Sequence, residues 1–220
     1  MKKGILLAVL LLSFSTLAQN FQLNYDFGKD RKYLTSTFEM FKPDEYGATF
    51  FFIDFDFNHP GNKSASLGYF EIARYVTLPF PVKNISATVQ YNDGTAPWGP
   101  LGHVWLAGLS YPVDLGIFVL NTDLLYRKDY FSEGSDVQIT GSWFIPIMQG
   151  KISFTGFFDV WSTKNFGKNS RDFVFLSEPQ LWINFNNHLS VGGEVEISNN
   201  FIPGKTEVQL NPTLGFKWNF

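Results

Sequence analysis

Carboxylates recur at alternate positions of this chain. Asp54 and Asp56 lie in the run FFFIDFDFN and Glu194 and Glu196 in GEVEISNN, while Glu39, Glu71, Asp159 and Glu178 sit in similar alternating runs. Two acids spaced by two residues project to the same side of an extended strand. Such a pair can do acid–base work, attract cations, or accept hydrogen bonds from hydroxyl-rich solutes. Aromatic residues occupy the same register: Phe50 and Phe52 before Asp54, Tyr69 before Glu71, and Trp182 beyond Glu178. A ring beside a carboxylate can stack on a planar base while the acid holds sugar hydroxyls. Asp26 and Asp123 join this acidic face, and Lys217 is its clearest cation. Trp105 and Trp161 belong to it in one choice of register. A second reading sets Trp161, Trp182 and Trp218 near strand ends as interfacial girdle residues. A plainer reading of the whole acidic face is a solvated structural network.

Enzymatic alternatives find little support. The histidines are His59, His103 and His188. His59 and His188 fall beside connections at opposite ends of the strands, so they cannot share a metal. A hydrolase would need Ser66 or Ser110 beside His103, but no H-E-x-x-H or G-x-S-x-G arrangement exists. Residues 26–30, with Gly28, lack the spacing of a calcium loop. The chain has no cysteine, hence no disulfide and no thiolate metal site. Acids such as Asp54 and Asp56 are most simply successive lining residues of one strand. No catalytic group, cofactor or metal is expected.

Strands must position these residues. Period-2 alternation recurs along the chain and predicts twelve of them, at residues 20–27, 32–41, 46–58, 65–76, 84–92, 102–111, 115–126, 136–145, 151–161, 172–185, 188–198 and 207–220. In the third, Thr49, Phe51, Ile53, Phe55 and Phe57 form one face, and Ala48, Phe50, Phe52, Asp54 and Asp56 the other. Strands of this length suit tilted crossings of a bilayer about 30 Å thick; soluble strands average about 5–6 residues. The connections alternate between a mostly short set (42–45, 77–83, 112–114, 146–150, 186–187) and a mostly longer polar set (59–64, 93–101, 127–135, 162–171, 199–206). The hairpin at 28–31 is the exception. Short periplasmic turns and long outer loops are the habit of bacterial barrels. Arg74 falls on the outward register near a strand end, from which it can snorkel to the interface.

Composition agrees. Aromatics make up 18% of the chain, with 25 Phe, yet mean hydropathy is near zero. A lipid-facing barrel reconciles the two, because apolar and polar residues alternate and average out. Residues 1–18 read as a cleaved signal peptide: Lys2 and Lys3, an apolar core at 5–12 too short to span a bilayer, then Thr16-Leu17-Ala18. Residues 19–220 are then one barrel domain. Net charge is -3, and an acidic chain without a basic cluster argues against nucleic-acid partners. The final strand alternates to its end through Leu214, Phe216, Trp218 and Phe220. A terminal Phe closing such a strand resembles the assembly signal of outer-membrane barrels.

The segments YGATFFFIDFDFN (46–58), GYFEIAR (68–74), FLSEPQLWINF (175–185) and GEVEISNN (193–200) resemble the nucleoside-specific Tsx-type channels, and more closely a branch related to them. The resemblance implies a twelve-stranded outer-membrane barrel and passive nucleoside uptake through a narrow lumen with weak sites. It carries over no individual nucleoside contact. The expected partners are outer-membrane lipid, the barrel-assembly machinery and small polar solutes, with no obligate protein partner. The lumen candidates are Glu39, Phe50, Phe52, Asp54, Asp56, Tyr69, Glu71, Asp159, Glu178, Trp182, Glu194, Glu196 and Lys217. The alternatives are a closed structural or adhesive barrel acting through its outer loops, and a soluble secreted β-sandwich or lipocalin-like binder.

Overall fold

Alternating sequence builds alternating walls. A computed structural model describes residues 18–58, 63–79, 84–164, 170–202 and 204–220. Apart from Ala18, the expected signal segment lies outside the described residues, as do His59 and the middles of several connections. The strands are β1 (Ala18–Asp26), β2 (Leu34–Asp44), β3 (Gly47–Phe57), β4 (Ala65–Thr77), β5 (Ser86–Ala96), β6 (Gly99–Pro100), β7 (Val104–Asp114), β8 (Val119–Asp129), β9 (Asp136–Ile147), β10 (Ile152–Thr163), β11 (Asp172–Ser177), β12 (Gln180–Asn184), β13 (Leu189–Asn199) and β14 (Gln209–Asn219).

These elements make twelve staves. β6 only extends the hairpin of β5, pairing Thr95 with Pro100 and Ala96 with Gly99. β11 and β12 are one stave interrupted at Pro179, which has no N–H to give to the ladder. The register runs through the break unchanged, with Phe158 opposite Ser177 and Thr155 opposite Gln180. Every pairing is antiparallel between sequence neighbours, and β14 returns to β1 through Phe21↔Trp218 and Leu23↔Phe216. The sheet is therefore a closed up-and-down barrel with no free edge, which excludes an open β-sandwich.

An eleven-residue stave extends roughly 36 Å and, tilted by about 40°, rises about 28 Å, close to the hydrocarbon thickness. The exterior matches that solvent. Phe21, Leu23, Tyr25, Leu109, Leu124, Ile139, Leu181, Ile183, Leu214 and Phe216 are all exposed on it. A belt of apolar side chains on this scale has no place in water. The lipocalin-like alternative fails for the same reason, since such a protein keeps its apolar side inward. Arg74 does lie outside, at the rim nearest the termini, where it pairs bidentately with Asp44 at 2.5 and 2.9 Å.

Strand bounds differ from expectation mainly near β5, β7 and β8. β5 continues through residues 93–96 and β8 through Arg127 to Asp129, so both segments belong to the wall and not to loops. Arg127 and Asp129 keep the inward parity of Asp123 and Leu125, whereas Asp93, opposite Phe70, and Lys128, opposite Trp105, have the outward one; polarity alone made both segments look like loop.

Gly192 and Gly215 face each other across β13 and β14 on the inner wall. A Cβ on Gly192 would meet the Leu181 carbonyl oxygen at 2.0 Å and the Trp182 Cα at 2.9 Å. Beside this bay the Trp182 indole is fully buried. Gly192→Val forces the backbones apart, and we expect it to lower the fraction of heat-modifiable, folded barrel recovered by refolding into detergent.

Candidate functional site

The inner wall carries the chemistry. Every residue expected to line the lumen is on the inward register: Glu39 opposite Phe52, Phe52 opposite Glu71, Asp54 opposite Tyr69, Phe50 opposite Ala73, and Glu194 opposite Gln180. Asp56 accepts from Thr35 at 3.0 Å, and Asp54 from Thr37 at 2.5 Å. Asp159 accepts from Thr140. Glu178, Glu196, Trp182 and Lys217 share the inward parity of their strands. Two indoles were misplaced by the girdle reading: Trp161 and Trp182 are buried inside the barrel. Trp105 is exposed on the lipid side, where Tyr91 packs on it at 4.6 Å. Trp218 is outward and stacks on His188 at 5.4 Å.

The wall divides into three sectors. Along β2–β4, Phe50, Phe52 and Tyr69 form a ring ladder with centroid spacings of 5.9 and 6.0 Å. Carboxylates flank it: Asn20 donates to Glu39 at 2.9 Å, and Tyr69 and Asn92 donate to Glu71 at 2.5 and 3.0 Å. Along β8–β10, the Arg127 guanidinium lies 4.7 Å from the Trp161 ring centre, donates to Gln138 at 2.7 Å and pairs with Asp129 at 2.8 Å. Along β12–β14, the Lys217 ammonium lies 4.4 Å from the Trp182 ring centre. The indole N–H donates to Gln180 at 2.9 Å, and Gln180 donates to Glu194 at 3.0 Å.

At the mouth away from the termini, Arg31 reaches inward from the β1–β2 turn to Asp26 at 3.1 Å and Glu196 at 2.6 Å. Burial is the largest single influence on the Arg31 pKa and lowers it, but Glu196, Tyr33 and Asp26 together outweigh it and the guanidinium is held charged. Burial pushes the neighbouring Tyr33 phenol up, and the Asp56 charge adds to the effect. Arg171 pairs with Asp136 at the same rim.

Part of the interior is dry. Val104, Leu106 and Leu125 form an apolar cluster on the inner face of β7 and β8. Tyr75 and Gln90 reach Asp123 beside it at 2.9 and 3.0 Å. This flank of the inner face therefore offers no side-chain donor or acceptor. Sequence reasoning missed this cluster and Arg127. β7 is apolar on both faces (VWLAGL), which erases the period-2 signal. Arg127 keeps the parity of Asp123 and Leu125, and that parity was the available clue.

The tested serine–histidine combinations do not come together. Ser66 donates to the Asp56 carbonyl at 3.1 Å and Ser110 bonds Asp123, whereas His103 packs against Tyr91 and Tyr130. Among the described residues no group of His, Asp and Glu is arranged to hold a metal.

The family model described as "Domain of unknown function (DUF5020)" matches residues 18–220. No curated protein sequence matches the chain. Among solved structures, the NanC porin is similar with a TM-score of 0.60 at 8% identity, covering 92% of this chain and 100% of that one. The KdgM porin is similar with a TM-score of 0.52 at 11% identity, covering 93% of this chain and 99% of that one. At these identities the likeness is one of fold. It puts this closed, lipid-faced barrel among bacterial outer-membrane β-barrels.

Proposed function

The chain belongs to the DUF5020 family, whose description assigns no activity, and we propose that it is an outer-membrane channel for passive diffusion of small polar solutes. One observation carries the reading. The inward face is polar along almost every stave and rich in carboxylates, while its strand cations among the described residues, Arg127 and Lys217, are both engaged with indoles. Carboxylates lining a membrane protein are costly unless they meet water or cations, so the remaining lumen is a hydrated, cation-favouring path. Its solutes are neutral or positively charged.

Within that class, nucleosides are the finer reading. The resemblance of residues 46–58 and 175–185 to Tsx-type channels supports it. So does the ring ladder beside hydroxyl-binding acids, which offers a stacking surface to a base and acceptors to a ribose. Binding at such a site must stay weak enough for release.

Liposome swelling is the direct assay. Vesicles containing the refolded barrel are expected to swell faster in neutral monosaccharides and nucleosides than empty vesicles, and a planar bilayer is expected to show potassium selectivity over chloride. A barrel of normal heat-modifiability that passes neither solute nor ion would refute the channel and favour a closed structural barrel acting through its outer loops.

A further inference from the structure

Two aromatic surfaces of the lumen carry the protein's own cations. Arg127 lies over Trp161 and Lys217 over Trp182. Among the described residues, none lies over Phe50, Phe52 or Tyr69, although Lys217 and Arg127 act at a distance on Glu39 and Glu71. This ring surface has acid on both sides. Phe52 sits in a cross-strand row with Glu39 on one side and Glu71 on the other, and Asn92 continues the row beyond Glu71. Asp54 flanks Tyr69 in the next row. The Tyr69 hydroxyl and the Asn92 amide both reach the same oxygen of Glu71. The Asn92 side chain is 93% buried by its 7% exposure, and its carbonyl oxygen has no hydrogen-bond partner. An orphaned acceptor beside acids is short of donors, not of acceptors.

We propose that the row Glu39–Phe52–Glu71–Asn92, with Phe50 and Tyr69 beside it, is a subsite for an organic cation: a primary ammonium or guanidinium on a short carbon stem. This rests on the channel reading for its access and deepens it by naming the solute class. The charge lies against the ring faces, as Lys217 and Arg127 do elsewhere in the lumen, and its N–H groups reach the Glu71 and Glu39 carboxylates. The stem covers the ladder. A bare metal ion is the poorer occupant. Rings reward weakly hydrated cations, and among the described residues the acids are interleaved with aromatics and not gathered into a chelating group.

The test uses the refolded barrel in a planar bilayer carrying a potassium current. Agmatine is the cationic probe, adenosine the neutral one, and calcium chloride the inorganic one. Agmatine is expected to block the current at concentrations about tenfold below adenosine, and Phe52→Leu or Glu71→Gln to raise its half-blocking concentration by about tenfold. Calcium chloride at the same concentration is expected to leave the current unblocked. Equal block by agmatine and adenosine, equal block by calcium, or an unchanged block in both variants overturns the proposal while the channel stands. Both variants are to be scored only where the potassium current is retained. Calorimetric titration of agmatine into the barrel in detergent does not depend on conduction. Heat of binding that Glu71→Gln abolishes, in a barrel that carries no current, supports the subsite and refutes the channel. No heat and no current refutes both.

Discussion

Phe220→Asp is expected to reduce the yield of folded, membrane-inserted barrel by roughly tenfold, since a lipid-buried Phe contributes about 1.5–3 kcal/mol. The reason lies in the seam. β14 must pair with β1 before the sheet has no edge, and the last bond of that seam runs from the Phe220 amide to the Gln19 carbonyl at 3.0 Å. The ring meets Phe38 of the next stave at 6.4 Å, so one residue ties β14, β1 and β2 at the rim. A carboxylate there puts charge at the lipid boundary as the edge is closing. Solute selectivity in the molecules that do fold is expected to be unchanged, because Phe220 lines no part of the lumen. Gel mobility before and after heating, with membrane fractionation, measures the yield. Normal insertion of the variant would mean that closure does not depend on this corner.

Arg127→Met is expected to lower stability by about 3–5 kcal/mol. The guanidinium is nearly buried and holds Gln138, Asp129 and the Trp161 ring at once. Methionine keeps the volume and removes the charge, leaving Asp129 and the nearby acidic wall without their cation. Breaking a buried pair by removing one partner costs far more than replacing both. Arg127→Met paired with Asp129→Asn should therefore recover part of the loss. Urea unfolding in detergent micelles, followed by tryptophan fluorescence, reports both variants. A single variant as stable as the parent would show that water already solvates these acids.

How much of this was legible beforehand follows from the physics of each segment. β1, β3 and β14 have one oily and one wet face, so Phe21 and Phe51 could be assigned to lipid and Asp54 and Lys217 to the lumen from parity alone. Twelve staves and their closure follow from the same alternation. β7 resisted because a wall that meets lipid outside and a packed apolar cluster inside shows no contrast between its faces. Trp161 and Trp182 were ambiguous because an indole suits an interface as well as a buried cation-binding position. Partners distant in sequence were beyond reach: nothing in the residues near Arg31 announces Glu196, and nothing near Tyr75 announces Asp123.

The Val104–Leu106–Leu125 cluster makes the interior lopsided. In the proposed channel, a flank without donors or acceptors gives a passing solute nothing to bond. Solutes with one apolar face are expected to outrun uniformly hydroxylated ones of equal weight. Leu106→Ser should wet that flank and erase the ranking without touching a single charge.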